Sequence, residues 1–174
     1  MAIACALHGS DAHAVDADRN AVRAARRNAI LNDVQLTVRD GDLFAPFADE
    51  QFDLITANPP YLPTPPIRFD VDAPHGIVAC DGGWDGRVVI DRILQRAPAA
   101  LRDGGQLLLV QSSLADIDRT LAAMRDAGLA ADIAVCDIEP LGPISLKRLT
   151  YLRGGGFVGD ELSETLAVVR GRAI

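Results

Sequence analysis

An apolar run that ends in two consecutive prolines is the feature that most constrains how this chain folds. Residues Phe52–Ala57, FDLITA, are followed directly by Asn58-Pro59-Pro60-Tyr61. A run this continuously apolar predicts a strand in the buried middle of a parallel sheet. The two prolines fix two φ angles and remove two backbone donors, so the loop after the strand is rigid. The sequence therefore predicts one amide, a stiff turn and one aromatic ring at the end of a buried strand.

Strand and helix patterns alternate along the whole chain. We predict strands at residues 12–16, 34–39, 52–57, 106–113, 130–140 and 164–171. We predict helices at residues 19–31, 87–101, 116–127 and 144–152, the first capped by Asp18 and the third ended by Gly128. Residues 1–9 are expected to be the second half of a buried helix closed by Gly9. This order predicts a single α/β sandwich domain over residues 1–174, with a mainly parallel sheet and right-handed crossovers.

The composition argues against several classes of function. The net charge of −7 gives no chain-wide basic footprint for phosphates, so nucleic acid is the weaker prediction for a partner. No run approaches the ~20 apolar residues of a membrane span, and the opening residues lack the pattern of a signal peptide. The cysteines and histidines have no metal-ligand or disulfide spacing, so we expect no metal and a reducing cytoplasm; they are Cys5, Cys80, Cys136, His8, His13 and His75.

Aspartates follow the first two predicted strands, and ligands of α/β sheets bind at the carboxyl ends of strands. Asp16 is placed to accept hydrogen bonds from ribose hydroxyls. The alternative is that Asp16 caps the next helix, but Asp18 is the better cap and leaves Asp16 free. In the second loop Asp42 can accept a hydrogen bond from an adenine amine while Leu43 or Phe44 packs on the ring. The alternative there is an exposed turn aspartate.

The third strand end is the most specific of the three. The side-chain oxygen of Asn58 and the carbonyl of Pro59 can together accept both hydrogens of a planar NH₂ group. Pro60 stiffens the loop, and Tyr61 offers a flat face for stacking. The alternative is a proline-stiffened turn that begins with Asn. This arrangement predicts a site for an amide or an aromatic amine whose nitrogen is held in line with an electrophile.

These motifs together resemble a known family of enzymes. FDLITANPPY, following AVDAD and GDLF, is similar to S-adenosylmethionine-dependent amino-methyltransferases. More narrowly, the sequence resembles the HemK-like family, which methylates the glutamine side-chain amide in the Gly-Gly-Gln motif of translation release factors. The downstream segments ACDGGWDGRVVIDRIL and LRDGGQLLLVQSS are also similar, so the resemblance covers about Ala2 to Gly171.

The resemblance implies a fold, a cofactor and roles for particular residues. The fold would be a Rossmann-like class I methyltransferase sandwich with an antiparallel C-terminal strand. S-adenosylmethionine would be held through its ribose by Asp16, through its adenine by Asp42 and Leu43, and near the reacting group by Asn58. The target amide would be bound by Asn58, Pro59, Pro60 and Tyr61. No general base is required, because the sulfonium is already a strong electrophile and catalysis is mainly positioning and exclusion of water.

The chain departs from the family pattern at its start. Enzymes of this class begin with a strand and a Gly-rich loop, whereas residues 1–9 are similar to the helix that follows them. We expect the first strand and the Gly-rich loop to be missing, because Met1 is internal to a longer natural protein or because the chain is shortened. We therefore expect low stability, and binding of S-adenosylmethionine that is weak or absent. Lacking the helical domain of the prokaryotic enzymes, the sequence resembles the eukaryotic and archaeal branch, which depends on a small activator protein.

Two other functions compete with methylation of a protein glutamine. The same motif serves enzymes that methylate exocyclic amines of adenine, cytosine or guanine in RNA or DNA, and Arg87, Arg92 and Arg96 could form a local basic patch for them. The acidic charge favours protein as the substrate. The second alternative is a degenerate, non-catalytic fragment.

The long loop from Leu62 to Asp85 is expected to cover the substrate and determine specificity. Its prolines make it stiff in places, and the pair Gly82-Gly83 is expected to act as a hinge. The prolines in question are Pro63, Pro65, Pro66 and Pro74.

Overall fold

The computed structural model describes residues 1–65 and 79–174 of the chain. These residues fold into two compact units, Met1–Glu50 and Gln51–Ile174. Each unit has its own sheet and its own helices. The single domain expected over residues 1–174 stays a prediction. Within the described residues, no helix is both long and apolar enough to span a bilayer.

The N-terminal unit, Met1–Glu50, contains two short strands and one long helix. In chain order it consists of α1 (Ala2–Leu7), β1 (His13–Asp16), α2 (Arg19–Leu31), β2 (Thr37–Asp40) and a 3₁₀ turn (Ala45–Phe47). The two strands pair in parallel, with His13 opposite Thr37 and Asp16 opposite Asp40. A parallel pair joined through a helix is the βαβ unit that the alternating pattern predicts.

Local sequence explains the start and the buried face of α2. The Asp18 side chain accepts a hydrogen bond from the Asn20 N–H at 2.8 Å, so one of the free N–H groups of the first turn is satisfied. Val22 and Ala29, seven residues apart, are buried on one face of the helix. The predicted helix at Arg19–Leu31 and its cap are therefore confirmed.

Two predictions for this unit need correction. Strand β2 begins at Thr37 rather than at residue 34, because the Val34 N–H donates to the Ala29 carbonyl at 3.1 Å and belongs to the turn that ends α2. The opening helix exists and Gly9 follows it with φ of 83°, but no residue of α1 is buried. Its apolar side chains do not enter a core within the N-terminal unit.

The C-terminal unit, Gln51–Ile174, has a four-stranded sheet in the order β3-β4-β6-β5. Its elements are β3 (Phe52–Ala57), α3 (Val88–Ala100), β4 (Leu101–Ser112), a 3₁₀ turn (Ser113–Ala115), α4 (Ile117–Asp126), β5 (Leu129–Pro140), α5 (Pro143–Lys147), α6 (Leu149–Gly154) and β6 (Ser163–Ala173). β3 and β4 are parallel, and β6 is antiparallel to both β4 and β5. The α/β class and the antiparallel C-terminal strand are thus confirmed.

The core of this unit lies between the central strands and the helices. Leu107 and Leu109 alternate on β4 and are fully buried, as are Val169 on β6 and Ile90 on α3. This alternation is the period-two pattern of a strand with one face in the core. Met124 of α4 is also fully buried and adds a flexible thioether to the core.

Three further expectations differ in detail. Strand β3 has the predicted bounds, but it is an edge strand among the described residues and Leu54 is 44% exposed, so it is not buried. β4 begins at Leu101 rather than at residue 106, with a register shift and Gly104 at φ of 73° marking the predicted turn. The predicted helix at residues 144–152 is two short helices that meet at Arg148.

Candidate active site

The carboxyl ends of β1 and β2 lie side by side in the N-terminal unit. Asp16 is paired with Asp40, and the Gly41 N–H donates to the Asp16 carbonyl at 3.1 Å. The loops that follow the two strands therefore leave the sheet at the same edge. Asp16 and Asp42 are both exposed there, as expected for groups that bind a ligand at the carboxyl ends of parallel strands.

The expectation that Asp16 is free needs correction. Its Oδ1 accepts a hydrogen bond from the Asp18 N–H at 2.8 Å, which turns the chain into α2 while Asp18 caps that helix. A carboxylate offers about four acceptor sites, so this one bond leaves Asp16 with capacity for ribose hydroxyls. The bond also fixes the orientation of the carboxylate.

The Asp42 loop contains a strained residue. Leu43 has φ of 48°, a left-handed conformation that costs a residue with a side chain about 1 kcal/mol. Gly41 cannot be replaced easily, because a Cβ there would lie 2.3 Å from the Pro46 Cγ. Strain of this kind persists where the surrounding structure enforces it, often at ligand sites. Leu43 is half-buried and follows the exposed Asp42 in the chain.

In the C-terminal unit the Asn-Pro-Pro-Tyr motif lines a cavity of about 270 Å³. Asn58 is exposed at the end of β3, Pro59 is buried, and Pro60 and Tyr61 are half-buried. The structure thus brings all four residues of the motif to one concave surface. The cavity is lined by Asn58, Pro59, Pro60, Tyr61, Leu62, Ala79, Cys80, Gly142, Pro143, Ile144, Ser145, Glu164 and Leu166.

The electrostatic surroundings of Tyr61 favour its neutral form. Burial raises the pKa of the Tyr61 phenol above its usual value of 10.0, and the charges of Glu164 and Cys80 act in the same direction. A neutral phenol keeps its ring available as an apolar face and its hydroxyl as a hydrogen-bond donor. Tyr61 can therefore cover a bound amide without adding negative charge to the cavity.

Backbone hydrogen bonds fix the segment after the motif. The Leu62 N–H donates to the Cys80 carbonyl at 3.0 Å, and the Gly82 N–H donates to the Leu62 carbonyl at 2.9 Å. Arg148 joins the two sides through an ion pair with Asp81 and a 3.1 Å bond to the Thr64 hydroxyl. Arg148 and Asp81 are each 12% exposed, so this pair is shielded from solvent. Both ends of the long loop are anchored at the cavity wall.

The expected hinge at Gly82-Gly83 is therefore corrected. Gly82 is buried, its carbonyl accepts the Val88 N–H at 2.9 Å, and a Cβ there would lie 2.5 Å from the Gly86 carbonyl oxygen. A glycine with both backbone groups bonded is required for close packing and has little freedom to move. Other residues of the loop that is expected to cover the substrate, including Pro66, Pro74 and His75, lie outside the described residues.

Arg87 does not belong to the possible basic patch, whereas Arg92 and Arg96 are both exposed on α3. Arg87 is 1% exposed and pairs with Asp91 at 2.8 Å. It donates as well to the Ala115 carbonyl, to the Asp116 carbonyl at 2.9 Å and to the Thr120 hydroxyl at 3.0 Å. Arg87 joins α3 to α4 and cannot present its charge to a phosphate.

Within the part of the chain that the structure describes, no cluster of His, Cys, Asp and Glu could hold a metal ion.

Sequence reasoning missed Glu164, the acidic residue of the cavity. Glu164 lies on β6, more than 100 residues after the motif, and is only 8% exposed. The one local signal is a charged residue inside an otherwise apolar strand pattern, LSETLAVV. Ser145, also buried, enters the cavity from α5 and carried no signal of its own.

Comparison with known sequences identifies relatives of this chain. The family model described as "Methyltransferase small domain" matches residues 1–71. A Methanocaldococcus jannaschii protein, named for N5-glutamine methylation of proteins, is 36% identical over 135 residues, which cover 77% of this chain and 67% of that protein. A release factor glutamine methyltransferase of Geobacter sulfurreducens is 35% identical over 63% of this chain and 39% of its own length.

A third relative has a different named substrate. The ribosomal protein uL3 glutamine methyltransferase of Bradyrhizobium diazoefficiens is 38% identical over 62% of this chain and 36% of its own length. The chain therefore spans less than half the length of the two bacterial relatives.

Solved structures share the fold of this chain. The YcgJ protein of Bacillus subtilis superimposes with a TM-score of 0.62 at 16% identity, covering 99% of this chain and 86% of that chain. An E. cuniculi Mtq2–Trm112 complex, described as responsible for methylating the eRF1 termination factor, gives a TM-score of 0.50 at 19% identity, covering 99% of this chain and 93% of that one. At these identities the likeness establishes the fold alone.

Proposed function

We propose, because this chain belongs to the HemK-like family of protein glutamine methyltransferases, that it methylates the side-chain amide nitrogen of a glutamine in a protein. The observation that carries the proposal is the cavity that Asn58, Pro59 and Tyr61 line together. A glutamine side chain presents a planar NH₂ group and a short apolar stem, and the cavity offers acceptors and apolar walls of matching kind.

Positioning of the amide nitrogen is the main contribution of this site. Asn58 Oδ1 and the Pro59 carbonyl accept the two amide hydrogens and hold the NH₂ plane in one orientation. As the nitrogen would take the methyl group, the bond from that carbon to the sulfonium sulfur would break and leave a neutral thioether. Positive charge then develops on nitrogen, and the two fixed acceptors stabilise it. Pro60 and Tyr61 exclude water from the reacting face. The amide proton leaves to solvent after the bond has formed, so no side chain acts as a base.

The methyl donor we propose is S-adenosylmethionine, which supplies a methyl group on a positively charged sulfonium. Asp16 binds its ribose hydroxyls, and Asp42 accepts a hydrogen bond from its adenine amine while Leu43 packs on the ring. The support for these roles is the shared sheet edge of the two aspartates and the enforced conformation of Leu43.

A translation release factor is the substrate we propose first. Release factors are named as substrates for relatives of this chain, and a ribosomal protein is named for another. A small activator protein is a further proposed partner, since the E. cuniculi protein of the same fold is described in complex with Trm112. We place the reaction in the cytoplasm, because the number and spacing of the three cysteines do not suggest disulfides.

The proposal is tested by offering the chain several acceptors together with S-adenosylmethionine. The acceptors are a Gly-Gly-Gln peptide, a matched Gly-Gly-Glu peptide and an RNA oligonucleotide, each analysed by tandem mass spectrometry for one added methyl group. We expect a methyl group on the glutamine side chain of the first peptide only. Methylation of the oligonucleotide alone would establish the nucleobase alternative. Cofactor binding without methylation of any acceptor, or no cofactor binding, would favour the non-catalytic alternative.

A further inference from the structure

A buried carboxylate in the cavity has no role in the mechanism above. Glu164 lines the same cavity as Asn58 and Tyr61 and is only 8% exposed. Its Oε2 atom is buried and has no hydrogen-bond partner among the described residues. A carboxylate in water is fully hydrogen-bonded, so burying one oxygen without a partner opposes folding. This oxygen is therefore available to accept a hydrogen bond from a molecule bound in the cavity.

The position of Glu164 relative to Tyr61 supports contact with a substrate. Both residues line the same cavity, and the charge of Glu164 adds to burial in raising the pKa of the Tyr61 phenol. The strand around it is held firmly, because Glu164 is paired in register with Glu139 of β5. The strand pairing therefore fixes the point of the cavity wall at which the side chain begins.

The chemistry of the site limits what Glu164 can bind. The two hydrogens of the target NH₂ are taken by Asn58 Oδ1 and the Pro59 carbonyl, so they are not available to a third acceptor. A peptide entering the cavity always carries main-chain N–H groups, and each needs an acceptor when it is desolvated. An ionised carboxylate is the strongest acceptor that the cavity lining offers.

We propose that Glu164 binds the substrate peptide by accepting a hydrogen bond from a main-chain N–H next to the target glutamine. This proposal rests on the proposed function, because it takes the acceptor to be a glutamine in a peptide chain. The bond anchors the main chain while Asn58 and Pro59 orient the side-chain amide. Two fixed points of attachment determine how deeply the side chain enters the cavity.

The test is the variant Glu164→Gln, with Glu139→Gln as a matched control on the paired strand, where the side chain is exposed. Kd for the Gly-Gly-Gln peptide is measured by fluorescence anisotropy with S-adenosylhomocysteine present, and KM and kcat are measured with S-adenosylmethionine. We expect Glu164→Gln to weaken peptide binding and raise KM by about tenfold or more, because a charge-assisted bond is lost. Glu164→Gln should leave the affinity for the cofactor unchanged. Glu139→Gln should leave Kd, KM and kcat at their wild-type values.

Thermal stability separates a binding role from a structural one. If Glu164 serves the substrate, Glu164→Gln leaves the melting temperature unchanged or raises it, because a buried charge without a partner is removed. The same variant should also lower the pKa of Tyr61 towards its usual value, measured by ultraviolet titration. A lower melting temperature with unchanged KM would show a structural role and overturn the proposal.

The remaining outcomes distinguish this proposal from the proposed function. Wild-type chain that binds and methylates the peptide, together with a Glu164→Gln variant of equal KM, would overturn the role of Glu164 and leave glutamine methylation intact. Wild-type chain that binds S-adenosylhomocysteine but neither binds nor methylates the peptide would overturn both.

Discussion

The two units of this chain differ in the length of their strands and in the size of their buried side chains. The N-terminal unit has two strands of four residues each, and its buried apolar residues are mostly small: Ala12, Val22, Ala29, Val38 and Phe47. The C-terminal unit has strands of 6, 12, 12 and 11 residues and a core of Ile, Leu, Met and Val. The first unit has exposed carboxylates on a small sheet with few buried residues. The second unit has a cavity and a well-packed core of large apolar side chains.

The difference follows the tasks that we assign to the two units. Carboxylates that accept hydrogen bonds from a sugar or a base need only a fixed strand end, and a strand pair with one capped helix supplies it. A site that aligns one nitrogen atom must hold its geometry closely, because small misplacements lower the rate. The anchored loop and the buried Arg87 of the C-terminal unit provide that rigidity.

The ion pairs of the two units give the comparison with the largest expected effect. Arg87 is buried with four partners, whereas Arg19 pairs with Asp40 at 2.9 Å while 83% of the Arg19 side chain is exposed. We expect Arg87→Met to destabilise the protein by about 3–5 kcal/mol, because it leaves Asp91 Oδ1 and the Ala115 carbonyl without the buried donor that they share. Arg19→Met should cost less than about 1 kcal/mol. Urea unfolding followed by circular dichroism measures both, and equal losses would break the comparison.

Substitutions of proposed active-site residues should change different constants in the two units, kcat in the C-terminal unit and the Kd of the cofactor product in the N-terminal unit. Asn58→Ala should lower kcat by about 10²- to 10³-fold, since one acceptor for the developing charge is lost. Asp16→Ala, in the N-terminal unit, should raise the Kd for S-adenosylhomocysteine by about tenfold through loss of charge-assisted bonds. Its kcat at saturating cofactor should change little. Steady-state rates and calorimetric titration measure these constants, and a normal kcat for Asn58→Ala would contradict the assigned mechanism.

The buried side-chain amide of Gln111 allows the effect of replacing a glutamine to be compared between the two units. Gln111 is fully buried, and neither Oε1 nor Nε2 has a hydrogen-bond partner among the described residues. Gln111→Met keeps the side-chain shape and removes the desolvation cost, so we expect a gain of about 1–2 kcal/mol in the free energy of unfolding. Gln35→Met at an exposed site of the N-terminal unit is the control and should have little effect. A loss of stability in Gln111→Met would reveal an ordered partner for the amide.

A matched pair of glycines tests the two units with the smallest effect. Gly9 follows α1 and Gly128 follows α4, both have φ of 83°, and neither has an atom within 4 Å of an added Cβ. The local strain of an alanine is therefore the same, about 1 kcal/mol. Gly128→Ala should lower global stability by this amount, because α4 is packed through Leu121 and Met124. Gly9→Ala should have little effect, since α1 has no buried residue and can fray. Chemical denaturation of the two variants measures the free energy of unfolding of each and tests this difference.

Local patterns predicted the elements whose cause is local. Asp18 and the apolar spacing of α2 are sufficient to define that helix, and the prolines after β3 define the rigid motif at its end. The cluster of the four motif residues at one cavity is likewise a consequence of chain continuity. These features depend on neighbours in sequence, so sequence reasoning reaches them.

Features that depend on distant partners were missed. The apolar pattern of β3 predicted burial, but burial depends on which strands lie beside it, and Leu54 is exposed. Arg87 reads as a surface charge because its partners Ala115 and Thr120 are 28 and 33 residues away. Glu164 shares the motif's cavity only through the position of β6 in the sheet. Nothing in the local sequence specifies such pairings.

The division of labour between the two units is tested most directly by amide NMR spectra of the isotope-labelled chain, titrated separately with S-adenosylhomocysteine and with the Gly-Gly-Gln peptide. We predict that the cofactor product shifts the amide signals of Asp16, Asp42 and Leu43. The peptide should instead shift those of Tyr61, Leu62 and other residues of the cavity in the C-terminal unit. Peptide-induced shifts confined to the N-terminal unit, with the signals of the cavity unchanged, would contradict the account.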